Sequence, residues 1–387
     1  MADSGRVVVV GAGLAGLRTA EELRARGFAG EIALIGAEER SPYDRPPLSK
    51  KVLTSADPFP DPSLRADFAA LDVDFQPGRI ISGLAEAGDG AQVVIATGAA
   101  PIRLPGPGPQ RFLRTYDDAL ALRQVLRPGA RLAIVGAGWI GAELATAAAG
   151  HGCTVSVVEA GPAPIAAAVT AEIGLITARW YDEAGVDLRL GVAVESVEPG
   201  GLALAGGGWL PADCVVTAVG VRPCVSWLAG SEVAVENGVV VDAGLRASVP
   251  GVYAVGDCAA FWSRRFGRRL RFEHWDVALH APEVVAANVL GGDEAYDPVP
   301  YFWSEQFGRM VQYAGHHGDA TQLVWRGSAD AATWAACWLS GDRLVAILTV
   351  DRPRDLVQAR RLIADAPAVD PHLLTDPTTP LKAAVLS

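Results

Sequence analysis

Two stretches of this chain repeat one pattern, an apolar strand that runs straight into glycines and then into a helix, and no other feature limits the fold so strongly. The first is Arg6-Val7-Val8-Val9-Val10-Gly11-Ala12-Gly13-Leu14-Ala15-Gly16, and the second is Arg131-Leu132-Ala133-Ile134-Val135-Gly136-Ala137-Gly138-Trp139-Ile140-Gly141. In each, the first glycine lets the chain turn tightly off the strand, the second lets backbone approach a pyrophosphate, and the third lets helix and strand pack closely. The helix that follows, expected over residues 14–26 in the first copy, aims its free N–H groups and the positive end of its dipole at the phosphates. Leu14 and Ala15 in one copy, and Trp139 and Ile140 in the other, sit where those donors are.

A second strand follows each turn, 31–35 leading to Glu38 and 154–158 leading to Glu159. An acid placed there accepts hydrogen bonds from ribose hydroxyls. A single fingerprint of this kind is a weak signal, because a strand-helix turn needs no ligand. Two complete units, each with its own acid, imply two dinucleotides on one polypeptide.

The chain has 387 residues, 50% hydrophobic and 20% charged, enough for two or three well-filled cores. Its polar start, Met1-Ala2-Asp3-Ser4-Gly5-Arg6, and a first apolar run that becomes the phosphate turn do not resemble a signal sequence. No charge-free apolar run reaches the roughly 18 residues that a membrane helix needs, so the expected location is cytoplasmic. Cys153, Cys214, Cys224, Cys258 and Cys337 are scattered singly, without metal-ligand spacing, and read as reduced thiols packed as small apolar groups. His316-His317 fits no ligand spacing either. A net charge of −11 argues against nucleic acid as the partner. Within that acidic chain, Arg264-Arg265-Phe266-Gly267-Arg268-Arg269-Leu270-Arg271 concentrates five arginines, readable as a solvated loop or as a docking face for an acidic partner.

Between the two units, Ser41-Pro42-Tyr43-Asp44-Arg45-Pro46-Pro47-Leu48-Ser49-Lys50 carries adjacent prolines that stiffen a loop before a helix expected to begin near Leu48. With the two glycine units, this segment resembles the ferredoxin reductase and rubredoxin reductase family of FAD enzymes, relatives of apoptosis-inducing factor in the glutathione-reductase fold group. The resemblance covers nearly the whole chain. It implies an α/β protein with two Rossmann-like FAD/NAD(P)-binding domains of the glutathione-reductase type, 1–110 with 240–302 for FAD and 111–239 for NADH. A small C-terminal α+β domain, 303–387, follows, with strands expected at 322–325, 334–339 and 344–350 and a helix at 354–364.

The same resemblance assigns residues. Arg45 and Lys50 approach FAD, Lys50 near the reactive ring, where positive charge stabilises reduced flavin. Glu143, on the first turn of the second helix, pairs with Lys50. Val93-Val94-Ile95-Ala96-Thr97-Gly98 reads as a short buried strand ending in a turn and resembles a second FAD-contacting segment, through Ala96, Thr97 and Gly98. Val252-Tyr253-Ala254-Val255-Gly256-Asp257 delivers Asp257 to the ribityl hydroxyls, and Trp275 and Trp303 lie near the flavin face. In the second unit Gly220 ends the strand-like run from Cys214, and Glu159 favours NADH, since a carboxylate repels a 2′-phosphate and no arginine lies among residues 160–169.

The likeness departs between Asp74 and Gln92. Relatives carry a longer three-stranded meander there, whereas here only 79–84 is strand-like before Ala85-Glu86-Ala87-Gly88-Asp89-Gly90. The second meander, with strands expected at 192–197 and 202–204, is present, and the Pro- and Gly-rich 101–109 reads as a linker. The implied reaction takes hydride from NADH onto flavin N5 and passes electrons singly to a small acidic iron-sulfur protein of the ferredoxin type, which serves an oxygenase. Arg352 and Arg354 extend the basic face in this reading. Disulfide or peroxide reduction by a cysteine beside the flavin is excluded by inventory, because residues 1–152 contain no cysteine. Two alternatives stay open: an NADH-binding flavoprotein of the apoptosis-inducing type with an interaction role, and a biosynthetic flavoenzyme acting on a small molecule.

Overall fold

Four consecutive valines build the centre of the first sheet. In the computed structural model, which describes residues 5–55, 60–88 and 90–386, strand Arg6–Val10 is the middle of five parallel strands, in the order Val252–Ala254, Gln92–Ile95, Arg6–Val10, Glu31–Ile35, Val73–Gln76. Val9 pairs with Leu34 on one side and Val94 on the other, and none of the three is exposed. A parallel sheet covered on both faces needs such unbroken apolar runs, and each fully buried Val or Leu stabilises it by about 1.5–3 kcal/mol. Helix Leu14–Ala25 packs on helix Trp275–Val289. A smaller sheet, ordered Val235–Glu236, Gly238–Val241, Ala259–Ser263, Arg268–Leu270, completes this compact unit, made from Met1–Asp44, Asp61–Ala100 and Val221–Pro300.

The other unit is made from Arg45–Pro60, Pro101–Gly220 and Tyr301–Ser387. Its parallel sheet, ordered Cys214–Thr217, Arg131–Val135, Thr154–Glu159, Asp187–Leu190, repeats the logic of the first, with helix Trp139–Gly150 behind the glycine turn. An antiparallel meander, Val194–Glu198, Gly201–Leu204 and Gly208–Pro211, packs its Val197, Leu202 and Leu210 against Ala133 and Val215. The C-terminal part is a five-stranded antiparallel sheet, ordered Tyr301–Gln306, Arg309–Gly315, Arg343–Val350, Trp334–Ser340, Gln322–Arg326, covered by helix Pro353–Asp365. No helix among the described residues is long and apolar enough to cross a membrane.

Several sequence readings change. Residues 79–84 do not form a strand: the chain turns at Pro77-Gly78, with Gly78 at φ +70°, Ile80 is 74% exposed, and Leu84–Ala87 is a short helix. The strand of that region is Val73–Gln76, which buries Val73 and pairs with Glu31–Ile35. The helix expected near Leu48 starts at Pro46, because proline is at home in a first helical turn. The meander's first strand begins at Val194 rather than 192, after the turn at Gly191, φ +69°. Residues 102–109 are irregular but held, since Gly108 N donates to Val197 O and Val197 N donates to Pro105 O, each at 2.8 Å. Two stretches read from the sequence, Met1–Ser4 and Asp89, lie outside the described residues.

Candidate functional site

The first glycine turn is packed to its limit at two positions and open at the third. Gly11 has φ +115°, and a Cβ there would overlap the Ala96 carbonyl; a Cβ on Gly16 would overlap the Gly11 carbonyl. Around Gly13, with an ordinary φ of −78°, an added Cβ would meet nothing within 4 Å. Gly13 is also the N-cap of helix Leu14–Ala25, with no side-chain cap and no acid in the first turn. Helix-end N–H groups at Leu14 and Ala15 that no side chain caps suit an anion. The second turn repeats this. Gly136 (φ +99°) would overlap the Ala218 carbonyl and Gly141 the Gly136 carbonyl, while Gly138 faces open space and caps a helix whose first turn holds no acid. Glu143, expected on that first turn, is the fifth residue of Trp139–Gly150 and so lies in its second turn. Two such cradles, closed behind and open in front, fit the phosphates of two dinucleotides.

Around the first turn, Ala96 N donates to Val10 O at 2.8 Å, Gly98 takes φ +67°, and Thr97 Oγ1 donates to Cys224 O at 2.7 Å. Gly256, φ +75°, brings the Gly256–Cys258 turn against the helix start, where its Cβ would lie 3.1 Å from Ala15 Cβ. Asp257 is thereby carried to the same helix end. Glu38 accepts a 2.6 Å hydrogen bond from Tyr43 Oη. Trp275, the first residue of its helix, donates from Nε1 to Asp44 Oδ1 at 2.6 Å. Its neighbour His274 has its pKa pushed down to about 4, burial outweighing the opposing charge of Asp257.

In the second turn, Glu159 is a fastening as well as an acid. Its Oε2 accepts from Ala137 N at 2.8 Å and its Oε1 from Gly161 N at 2.7 Å, so it joins the glycine turn to the loop after its own strand. Gly220 (φ +101°) accepts from Ile102 N at 3.0 Å. Trp139 stacks edge-on against Phe302, centroids 4.5 Å apart, and Ile140 is 41% exposed at the helix start.

Lys50 falls at the break between two short helices, Pro46–Ser49 and Lys51–Thr54. The second is tethered by Arg123, which donates to Leu53 O at 2.9 Å, and by His151 Nε2, 2.6 Å from the same oxygen. Arg45 donates to Arg114 O. From this break Lys50 Nζ reaches both oxygens of Glu143 at 3.0 Å. Glu143 is 4% exposed, and a buried charge of that kind is tolerated only with a partner and full hydrogen bonding, removal of the partner costing about 3–5 kcal/mol. Ser49 Oγ and Ser304 Oγ also donate to it, the latter at 2.7 Å, as does Glu305 N at 3.2 Å. The two serines and Tyr43 were not marked by the sequence, since a serine in a helix or strand gives no periodic or motif signal. Trp303 points to the other face of its strand from Ser304 and stacks on Tyr301 at 6.0 Å.

The arginine run is not uniform. Arg269 donates to Val241 O and Ala260 O, and Arg271 to Asp257 O while paired with Glu273 at 2.7 Å, so these two serve the fold. Arg268 is half-buried, whereas Arg264 and Arg265 are exposed. Arg352 likewise turns inward, to Asp355 at 2.5 Å and Pro377 O, which takes it out of the basic face expected above.

Residues 5–281 match the model of the pyridine nucleotide-disulphide oxidoreductase family and residues 301–385 that of the reductase C-terminal domain. The chain is 36% identical to the anthranilate 1,2-dioxygenase system ferredoxin–NAD(+) reductase component of Burkholderia cepacia, over 97% of this chain and 98% of that protein. Among solved structures it resembles Fdr9, with 47% identity, a TM-score of 0.93 and coverage of 97% and 99%. It also resembles the reductase in the covalent putidaredoxin reductase–putidaredoxin complex, with 30% identity, a TM-score of 0.91 and coverage of 98% and 99%.

Proposed function

This chain belongs to the pyridine nucleotide-disulphide oxidoreductase family and carries its reductase C-terminal domain, and from that premise we propose that it is the NADH-dependent reductase of an oxygenase electron chain, acting through FAD on a small ferredoxin. The observation that carries this is the doubled cradle: two glycine turns closed behind Gly11 and Gly136, open at Gly13 and Gly138, each on an uncapped helix start. Bound FAD supplies the step from a two-electron hydride donor to a one-electron acceptor.

The residues of the first turn, with Ala96, Thr97, Gly98 and Asp257, hold the FAD phosphates and ribityl chain by backbone donors and one carboxylate, and Glu38 receives the adenosine ribose. Arg45, Lys50, Trp275 and Trp303 are assigned to the flavin end by the family likeness. Lys50 is supported by its pairing with Glu143, which keeps an ammonium in a site where only 14% of its side chain is exposed. In the second turn Gly136, Gly138, Trp139, Ile140, Gly141 and Gly220 receive NADH. Glu159, already anchored by two amides, disfavours a 2′-phosphate by like charge.

Anaerobic titration of the purified protein tests this. A yellow protein bleached by one equivalent of NADH, and recoloured on mixing with a ferredoxin, is the expected result. A colourless protein, or one bleached far better by NADPH, overturns it. For the partner, we propose that an acidic ferredoxin docks on the basic run, through Arg264 and Arg265 rather than all five arginines. Changing both to Glu should slow ferredoxin reduction at low salt and leave NADH-driven flavin bleaching intact; an unchanged rate at low salt removes this docking face.

A further inference from the structure

The strand Tyr301–Gln306 presents Ser304 and Gln306 to one face by its two-residue period, and both are buried, at 0% and 1% exposure. Gln306 Nε2 donates to Ser304 Oγ at 3.1 Å, and Ser304 Oγ donates to Glu143 Oε1 at 2.7 Å. The direction of this relay is set by chemistry. An amide NH₂ only donates, so Ser304 receives from Gln306 and its single proton is left for the carboxylate. On the other oxygen Ser49 donates, with Lys50 Nζ at 3.0 Å from both. Glu143 is thus gripped from the C-terminal strand on one side and from the Pro46–Ser49 helix on the other, and the ammonium of Lys50 takes the position this grip leaves it.

From this geometry we infer that Ser304 is a positioning residue for the reductase reaction: it fixes Glu143, and through Glu143 the place of the Lys50 charge. The inference rests on the reading of Lys50 as the cation beside the flavin. Ser304 touches neither cofactor in this scheme, and it acts only through the pair. In this scheme the C-terminal strand acts on the Lys50 charge by a buried hydroxyl, and no motif in the chain advertises it.

The test compares five holoenzymes, wild type, Lys50→Met, Ser304→Ala, Gln306→Met and Gln306→Glu, by the midpoint potential of the bound flavin and the rate of its reduction by NADH. Lys50→Met should move the potential most, to a more negative value, because reduced flavin loses its counter-charge. Ser304→Ala should move it the same way and slow reduction by about ten-fold, the size expected for losing a hydrogen bond to a charged group. The two Gln306 variants separate positioning from packing. Gln306→Met removes the donor but leaves the Ser304 proton on Glu143, so its effect should be small; Gln306→Glu supplies an acceptor that draws that proton away, so it should approach Ser304→Ala. Equal behaviour of the two Gln306 variants, or a Ser304→Ala enzyme with wild-type potential and rate, overturns the inference. An unmoved potential in Lys50→Met instead overturns the placement of Lys50 on which it rests.

Discussion

Within each turn the three glycines have different physical duties, and single substitutions should separate them. Gly13→Ala places a methyl where nothing of the protein stands, at a φ any residue adopts, so the fold should be kept while FAD is lost on dialysis. Gly16→Ala drives a methyl into the Gly11 carbonyl, an overpacking that costs about 1–3 kcal/mol or more, so its melting temperature should fall as well. Flavin absorbance after dialysis and thermal melts of the two variants read this directly; equal melting losses would contradict the open cradle. His274 makes a second residue-level prediction. Its folded pKa is depressed to about 4 from an ordinary 6.5, so below 6.5 the unfolded chain takes up a proton that the native state refuses. Stability is then full above 6.5 and declines as pH falls toward about 4. At about 1–2 °C per kcal/mol in a chain of this size, the decline is visible in melts across that range. His274→Gln should show a shallower slope than wild type, and parallel slopes would reject the assignment.

At the scale of elements, one buried arginine ties the C-terminal domain together. Arg326, the last residue of strand Gln322–Arg326 and 1% exposed, pairs with Asp355 at 2.9 Å and donates to the carbonyls of Leu374, Asp376 and Thr379. Arg326→Met leaves Asp355 buried with Arg352 as its remaining cation among the described residues, at an expected cost of about 3–5 kcal/mol. Amide exchange should rise first in residues 370–380, and an unchanged exchange pattern there would show that the tail is held otherwise. Such cross-element bonds mark the limit of what could be read from residues alone. Strands 31–35 and 154–158 and the nucleotide helices were legible because runs like Val7 to Val10 and glycine turns carry periodicity and a stop signal together. The strand Arg309–Gly315 and the short helix Leu84–Ala87 were missed, the first because burial at Val311 and then at Tyr313, Ala314 and Gly315 in succession breaks the two-residue period, the second because four residues hold no period. Ser304 and the inward turn of Arg269 and Arg271 depend on partners dozens of residues away or on backbone carbonyls, which no spacing rule encodes.

For the molecule as a whole, the decisive feature is that neither compact unit is continuous: each is assembled from three pieces of chain. The first parallel sheet holds strands from residues 6 to 95 but borrows its edge, Val252–Ala254, from far downstream, and helix Leu14–Ala25 waits for Trp275–Val289. The second parallel sheet lies wholly between Arg131 and Thr217. During synthesis, then, the later-encoded nucleotide fold has all its strands while the earlier-encoded one is still missing a rim. A ribosome stalled with Gly220 just clear of the exit tunnel should display residues 131–217 resistant to protease and residues 6–95 cleavable; the reverse order of protection would rule this out. With NADH in the later cradle and FAD in the earlier one, as proposed above, a newborn chain would meet its fuel nucleotide before it could keep its flavin.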